Sequence, residues 1–268
     1  MNPEVFPVVS AGDSSFIERD SNGSILEETI EKKTVPTRQN IMNPDVYRAA
    51  STGDSSFFKS MKDPNSSTLL QVTIEKNTVL HLALQFKKFE AAENIVNLRP
   101  SLVYEKNSKG NTLLHVAAMV GNFKMVKLLI DQAKELDVET GGRQQLLSMV
   151  NQGGDTALHV AVQYGNFEVV KELIDENDPA KLAMQENNAG ESALFLAVDR
   201  QHYDMASYSL SAAPDCSYAG RHGMNVLHAL VIHASSCKFC SIMLLKYLHF
   251  SFRMWSFRGV NVMAISHA

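Results

Sequence analysis

NTLLHVAA, residues 111–118, decides the fold, because the chain keeps returning to it. The phrase comes back as NTVLHLAL (77–84), DTALHVAV (155–162), ESALFLAV (191–198) and MNVLHALV (224–231), centred on His81, His115, His159, Phe195 and His228. Successive centres lie 34, 44, 36 and 33 residues apart, and a further step of 34 back from His81 reaches Tyr47 in DVYRAASTGD (45–54). There Ala49 and Ala50 fall where Ala117 and Ala118 fall around His115. Self-similarity at such a period is the signature of stacked structural units. Six units are in phase.

Each unit carries a second apolar signal ten, eleven, fourteen and fifteen residues after its centre. These residues are Ala91, Ala92, Ile95 and Val96; Met125, Val126, Leu129 and Ile130; Val169, Val170, Leu173 and Ile174; and, more weakly, Met205, Ala206, Ser209 and Leu210. Such spacing makes one stripe on a helix. The unit is therefore helix, break, helix. Thr78, Thr112, Thr156 and Ser192 stand three residues before the centre, where a hydroxyl caps the first N–H groups of a helix. Gly53, Gly121 and Gly165 stand six residues after it, where the backbone must pass through positive φ. Small Ala83, Ala117, Ala161 and Ala197 let neighbouring first helices approach closely. Between units come NSKGN (107–111), NQGGD (151–155) and NNAGE (187–191), turn-forming runs that project as fingers.

With these features in phase, the chain resembles the ankyrin repeats, whose Thr-Pro-Leu-His-x-Ala core and period it follows. The resemblance covers residues 43 to about 248 and implies an all-α solenoid of helix-turn-helix units. Some positions depart from the pattern. Val79, Leu113, Ala157 and Ala193 replace the usual Pro, Phe195 replaces the central His, and Lys87, Gln201 and Ala234 stand at the turn Gly. A non-Gly residue in the left-handed region costs on the order of 1 kcal/mol, so these units are expected to be softer.

The stretches LRPSLVYEKNSKGNTLLH (98–115) and RQQLLSMVNQGGDTALH (143–159), with the opening unit MNPDVYRAASTGD, are also similar to plant ankyrin membrane proteins of the accelerated-cell-death type. That likeness implies a role in defence, cell-death or stress signalling, with the array on the cytosolic side of a transmembrane block. No such block is found in this sequence.

Bulk composition agrees with a binding protein. An apolar content of 45% suffices for a substantial core, and a formal charge of −4 without a basic cluster gives nucleic acid no foothold. Three cysteines, Cys216, Cys237 and Cys240, argue for a reducing compartment, and the cytoplasm is expected. Pro7 breaks the short apolar run near the start, so no secretory signal is read there. No apolar stretch approaches the roughly 20 residues of a membrane span.

His81, His115, His159 and His228 recur at one helical position in different units, which predicts a hydrogen-bonding ladder instead of a metal or catalytic site converging on a point. The lone Cys237-x-x-Cys240 lacks partner ligands and a βαβ setting and reads as part of the last unit's apolar packing. NQGGD lacks the Lys-Ser/Thr of a phosphate loop. No catalytic residue, metal site or cofactor is expected.

Binding is assigned to the concave face of the solenoid and its finger turns. The residues just before each break are read as dispensable for the core: Gln85 and Phe86, Met119 and Val120, Gln163 and Tyr164, Asp199 and Arg200. Phe86, Met119 and Tyr164 are expected to be exposed, and Asn107 and Lys109 add a finger contribution. A protein partner and a monomeric chain are expected. AKELDVETGGRQQLLSMV (133–150) adds length between the third and fourth units and is read as a longer loop with Gly141 and Gly142 at its tip, a tolerated insertion or a partner contact.

MNPEVFPVVSAGDSSF (1–16) nearly copies MNPDVYRAASTGDSSF (42–57), but Pro7 sits inside the would-be first helix, and Asp20 and Ser21 occupy positions that should be apolar. Residues 1–41 are expected to be a duplicated, weakly ordered leader, residues 42–248 the array, and residues 249–268 an atypical tail.

Overall fold

Each Thr-x-x-His phrase starts a helix because the two side chains close the helix end on each other. In the computed structural model, which describes residues 41–61, 67–136, 142–175 and 182–233, the Thr78 hydroxyl accepts the His81 backbone N–H and lies 2.8 Å from His81 Nδ1. Thr156 and His159 repeat the arrangement, also at 2.8 Å, and Thr112 meets His115 Nδ1 at 2.7 Å. Ser192 caps Phe195 N–H at 3.1 Å. The first helices are Pro44–Thr52, Val79–Gln85, Leu113–Val120, Ala157–Gln163, Ala193–Asp199 and Val226–His233, each packed on the next.

Their ends come where the sequence places the break. Gly53, Gly121 and Gly165 take φ values of 81°, 82° and 73°. Lys87 and Gln201 are forced into the same left-handed region, at φ 58° and 62°. The chain then turns into the second helices Ser55–Lys59, Phe89–Leu98, Phe123–Leu136, Phe167–Asp175 and Tyr203–Ala212, which also pack on one another in order. Every stripe residue named from the sequence is buried between the two rows of helices, Ser209 included. The core is thus one continuous apolar layer running from unit to unit.

Ala219 and Asn225, Glu186 and Ser192, Lys106 and Thr112, and Val72 and Thr78 each close a finger with a single antiparallel bridge. The turn is built by an Asn eight residues before the centre. Asn107 Oδ1 accepts the backbone N–H groups of Lys109 and Asn111, and Asn151 and Asn187 do the same in their own fingers. The amide nitrogens then reach across units: Asn107 to Asn77 (3.0 Å), Asn151 to Asn111 (3.2 Å) and Asn187 to Asp155 (2.9 Å). Backbone bonds Ser108 N–H to Glu75 O, Gln152 N–H to Lys109 O and Asn188 N–H to Gly153 O stack the fingers directly.

Where Phe195 replaces the central His, the next finger changes with it. Gly220 takes the place of the finger Asn, and a Cβ there would come within 2.2 Å of the Phe195 ring. The larger ring is buried only because that position is bare. Arg221 follows, its guanidinium 5.6 Å over the Phe195 ring.

Two expectations are corrected. Most of the described part of residues 133–150 is helix, not the longer loop expected there. The second helix of the third unit runs on to Leu136, and Gly142 opens a further helix, Gly142–Ser148, whose Leu146 and Leu147 are buried. Those two leucines do the work of Leu102 and Val103 in the short helix Pro100–Tyr104, which fills the same place one unit earlier. Among the described residues the histidine ladder also has three rungs, since His228 is exposed and bonds there only its neighbour Asn225. The readings of residues 1–41 and 249–268, apart from Ile41, and of Cys237 and Cys240 lie outside the described residues.

Candidate partner-binding face

The ends of the first helices place one residue pair per unit in a row. Phe86 and Tyr164 are 44% and 56% exposed, and Gln85 and Arg200 are exposed as well. Phe86 continues into the first unit through Tyr47, which is 41% exposed and meets it edge to face at 6.3 Å between centroids. Two aromatic rings held against each other with open faces are already ordered, so a partner covering them pays little side-chain entropy. Tyr47 was placed in phase by the sequence, yet its part in this patch shows only once the first helices are side by side.

Other predicted members turn out to be engaged. Met119 and Val120 are half-buried against the core, not exposed. The cause lies in the next unit: Asn166 Nδ2 donates to the carbonyls of Ala118 and Met119 at 2.7 and 3.0 Å and draws that helix end inward. Gln163 is half-buried and its amide donates to Asp155 Oδ1 at 3.3 Å. Asn107 spends its side chain on its own turn and on Asn77, while Lys109 is exposed on the fingertip and, among the described residues, bonds through its backbone alone.

Asp199 belongs to a closed cluster. Both its carboxylate oxygens accept from Arg221 Nη2 at 3.0 Å, and His233 Nε2 lies 3.4 Å away. Arg221 also donates to Glu191 Oε1 at 2.9 Å. Burial works against the Arg221 charge but is outweighed by these carboxylates, and its pKa is raised. The pairing joins residues 22 positions apart, which no local pattern reveals. The face that remains open is therefore aromatic at Tyr47, Phe86 and Tyr164, with Gln85 and Arg200 beside it.

Beneath this face the imidazoles have no freedom to act on a ligand. His81 Nε2 donates to Asn111 O at 3.1 Å, His115 to Asp155 O at 2.9 Å and His159 to Glu191 O at 3.1 Å. Because a carbonyl only accepts, Nε2 carries the proton; because Nδ1 faces a backbone N–H, it is bare and the Thr hydroxyl donates to it. Burial holds the His81 and His115 pKa values down to about 4 and lowers that of His159. The rings are neutral joints between units. Among the described residues no three His, Cys, Asp or Glu side chains gather as a metal site, and no helix is long and apolar enough to cross a membrane. Cys216 is buried twelve residues before His228, in the place Val103 and Leu147 hold in their units.

The family model described as ankyrin repeats (three copies) matches residues 46–140 and 143–219. None of the curated proteins compared with the chain matches it.

Proposed function

Because the chain belongs to the ankyrin-repeat family, a family of protein–protein interaction modules, we propose that it is a non-enzymatic adaptor that holds a protein partner on its concave face. The observation that carries this reading is the open aromatic patch of Tyr47 and Phe86, continued by Tyr164, on rigid first helices whose core role is filled by other residues. Exposed aromatic side chains on a fixed scaffold are the residue types that dominate binding energies at interfaces. Gln85, Arg200 and Lys109 supply polar contacts around them, and the partner is engaged by a single cytoplasmic copy of the chain.

The pathway reading rests on sequence resemblance. The likeness of residues 98–115 and 143–159 to plant ankyrin membrane proteins supports a place in defence or stress signalling, either as an adaptor or as the cytosolic sensor part of a membrane signalling protein.

Affinity capture with the full chain tests the adaptor reading. Phe86→Asp with Tyr164→Asp is expected to lose the specifically captured partner while the circular dichroism spectrum stays that of the wild type. Retention of the same partner by the folded double variant would reject the face.

A further inference from the structure

A second feature lies on a different edge of the array, at the breaks between first and second helices. At three junctions the residue seven positions after a centre covers the Gly of the preceding break. Lys88 lies over Gly53, Asn166 over Gly121 and His202 over Gly165, each so close that a Cβ on the Gly would meet it. The junction between the second and third units differs because Lys87, not Gly, occupies the break. Asn122, the residue due to cover it, instead caps its own helix by accepting Met125 N–H at 3.0 Å.

An open cleft of about 390 Å³ results, lined by Lys87, Phe89, Val120, Gly121, Asn122, Phe123 and Lys124. Its apolar lining includes Phe123, which is 43% exposed. Its charges are of one sign: no carboxylate lines it, and the side chains of Lys87 and Lys124 make no ion pair or hydrogen bond among the described residues. The nearby cation Lys59 is paired with Glu90, and Lys127 faces Glu172 at 3.9 Å. In a chain of net charge −4, two unpaired lysines flanking an apolar cleft form a local field of opposite sign. Lys87 also keeps a strained backbone that Gly would relieve, which is the kind of cost retained where a side chain is used.

We propose that this cleft receives a short acidic peptide segment of a protein partner, its aromatic or aliphatic side chain on Phe89, Val120 and Phe123 and its carboxylates on Lys87 and Lys124. The volume lies at the low end for ligand sites and suits one anchoring side chain with its flanking residues. The inference rests on the chain's being a protein-binding module, but not on the aromatic patch.

The test uses fluorescence anisotropy with the full chain and two labelled peptides, Asp-Glu-Phe-Leu-Asp-Glu and its uncharged counterpart Asn-Gln-Phe-Leu-Asn-Gln. The acidic peptide is expected to bind more tightly and to weaken with added salt. Lys87→Gly with Lys124→Gln is expected to weaken it by roughly tenfold. Lys87→Gly restores the residue that the backbone prefers, so lost binding in a chain at least as stable as the wild type cannot be unfolding. Equal binding of the two peptides would overturn the proposal. So would an equal loss from Lys109→Gln on the remote fingertip, which would mark a diffuse charge effect. Phe86→Asp with Tyr164→Asp leaves the peptide bound if the cleft is right, whatever becomes of the captured partner.

Discussion

His115 takes the Thr112 hydroxyl and backbone N–H at Nδ1 and gives its Nε2 proton to the Asp155 carbonyl, so both ring nitrogens are committed to the neutral form. A second proton would leave Nδ1–H facing another donor inside the core. This fixes the sign of a pH dependence. The folded pKa values of His81 and His115 are about 4, below the ordinary 6.5, so the folded chain binds fewer protons than the unfolded chain between those limits. Their stabilisation is complete above about pH 6.5 and is lost as pH falls toward 4. Urea unfolding across this window is expected to show a loss on the order of several kcal/mol, reduced when His115 is replaced by Gln. A flat profile would contradict the neutral joint. The ladder was legible from the sequence because it repeats in phase with Thr. The Asp199 to Arg221 pair was not, since the two residues meet only through stacking.

At the scale of elements, periodicity identified long helices well and short ones poorly. The second helices were readable because four apolar positions recur over two turns. Gly142–Ser148 offers only the adjacent pair Leu146 and Leu147 behind a Gly-Gly dipeptide, and such a pair fits a loop as well as a helix. What makes it a helix is the buried site behind Phe123–Leu136 that the pair fills. Leu147→Ala is expected to cost about 2–4 kcal/mol in thermal or urea unfolding. A loop that served only as a partner contact would show almost no change. The same limit explains Met119 and Val120: their positions read as exposed, but Asn166, forty-seven residues after Met119, pulls the helix end onto the core. Finger runs such as Asn151 to Asp155 read as turns, while their cross-unit amide bonds depend on the spacing of whole units.

The array as a whole is held by nearest-neighbour terms: imidazole to carbonyl, amide to amide, first helix on first helix. This arrangement buries the inward residues and leaves Tyr47, Phe86 and Tyr164 exposed on or beside the first helices, where the proposed partner would sit. Tyr47, Phe86 and Tyr164 span three different units, so a partner covering them would tie those units together. Hydrogen exchange with mass spectrometry, on the full chain alone and with its captured protein partner, tests that claim most directly. The account predicts slowed exchange in complex at the helix ends around Phe86 and Tyr164, and at Tyr47, with the second helices unchanged. Protection confined to the second helices, with those helix ends exchanging as in the free chain, would contradict it.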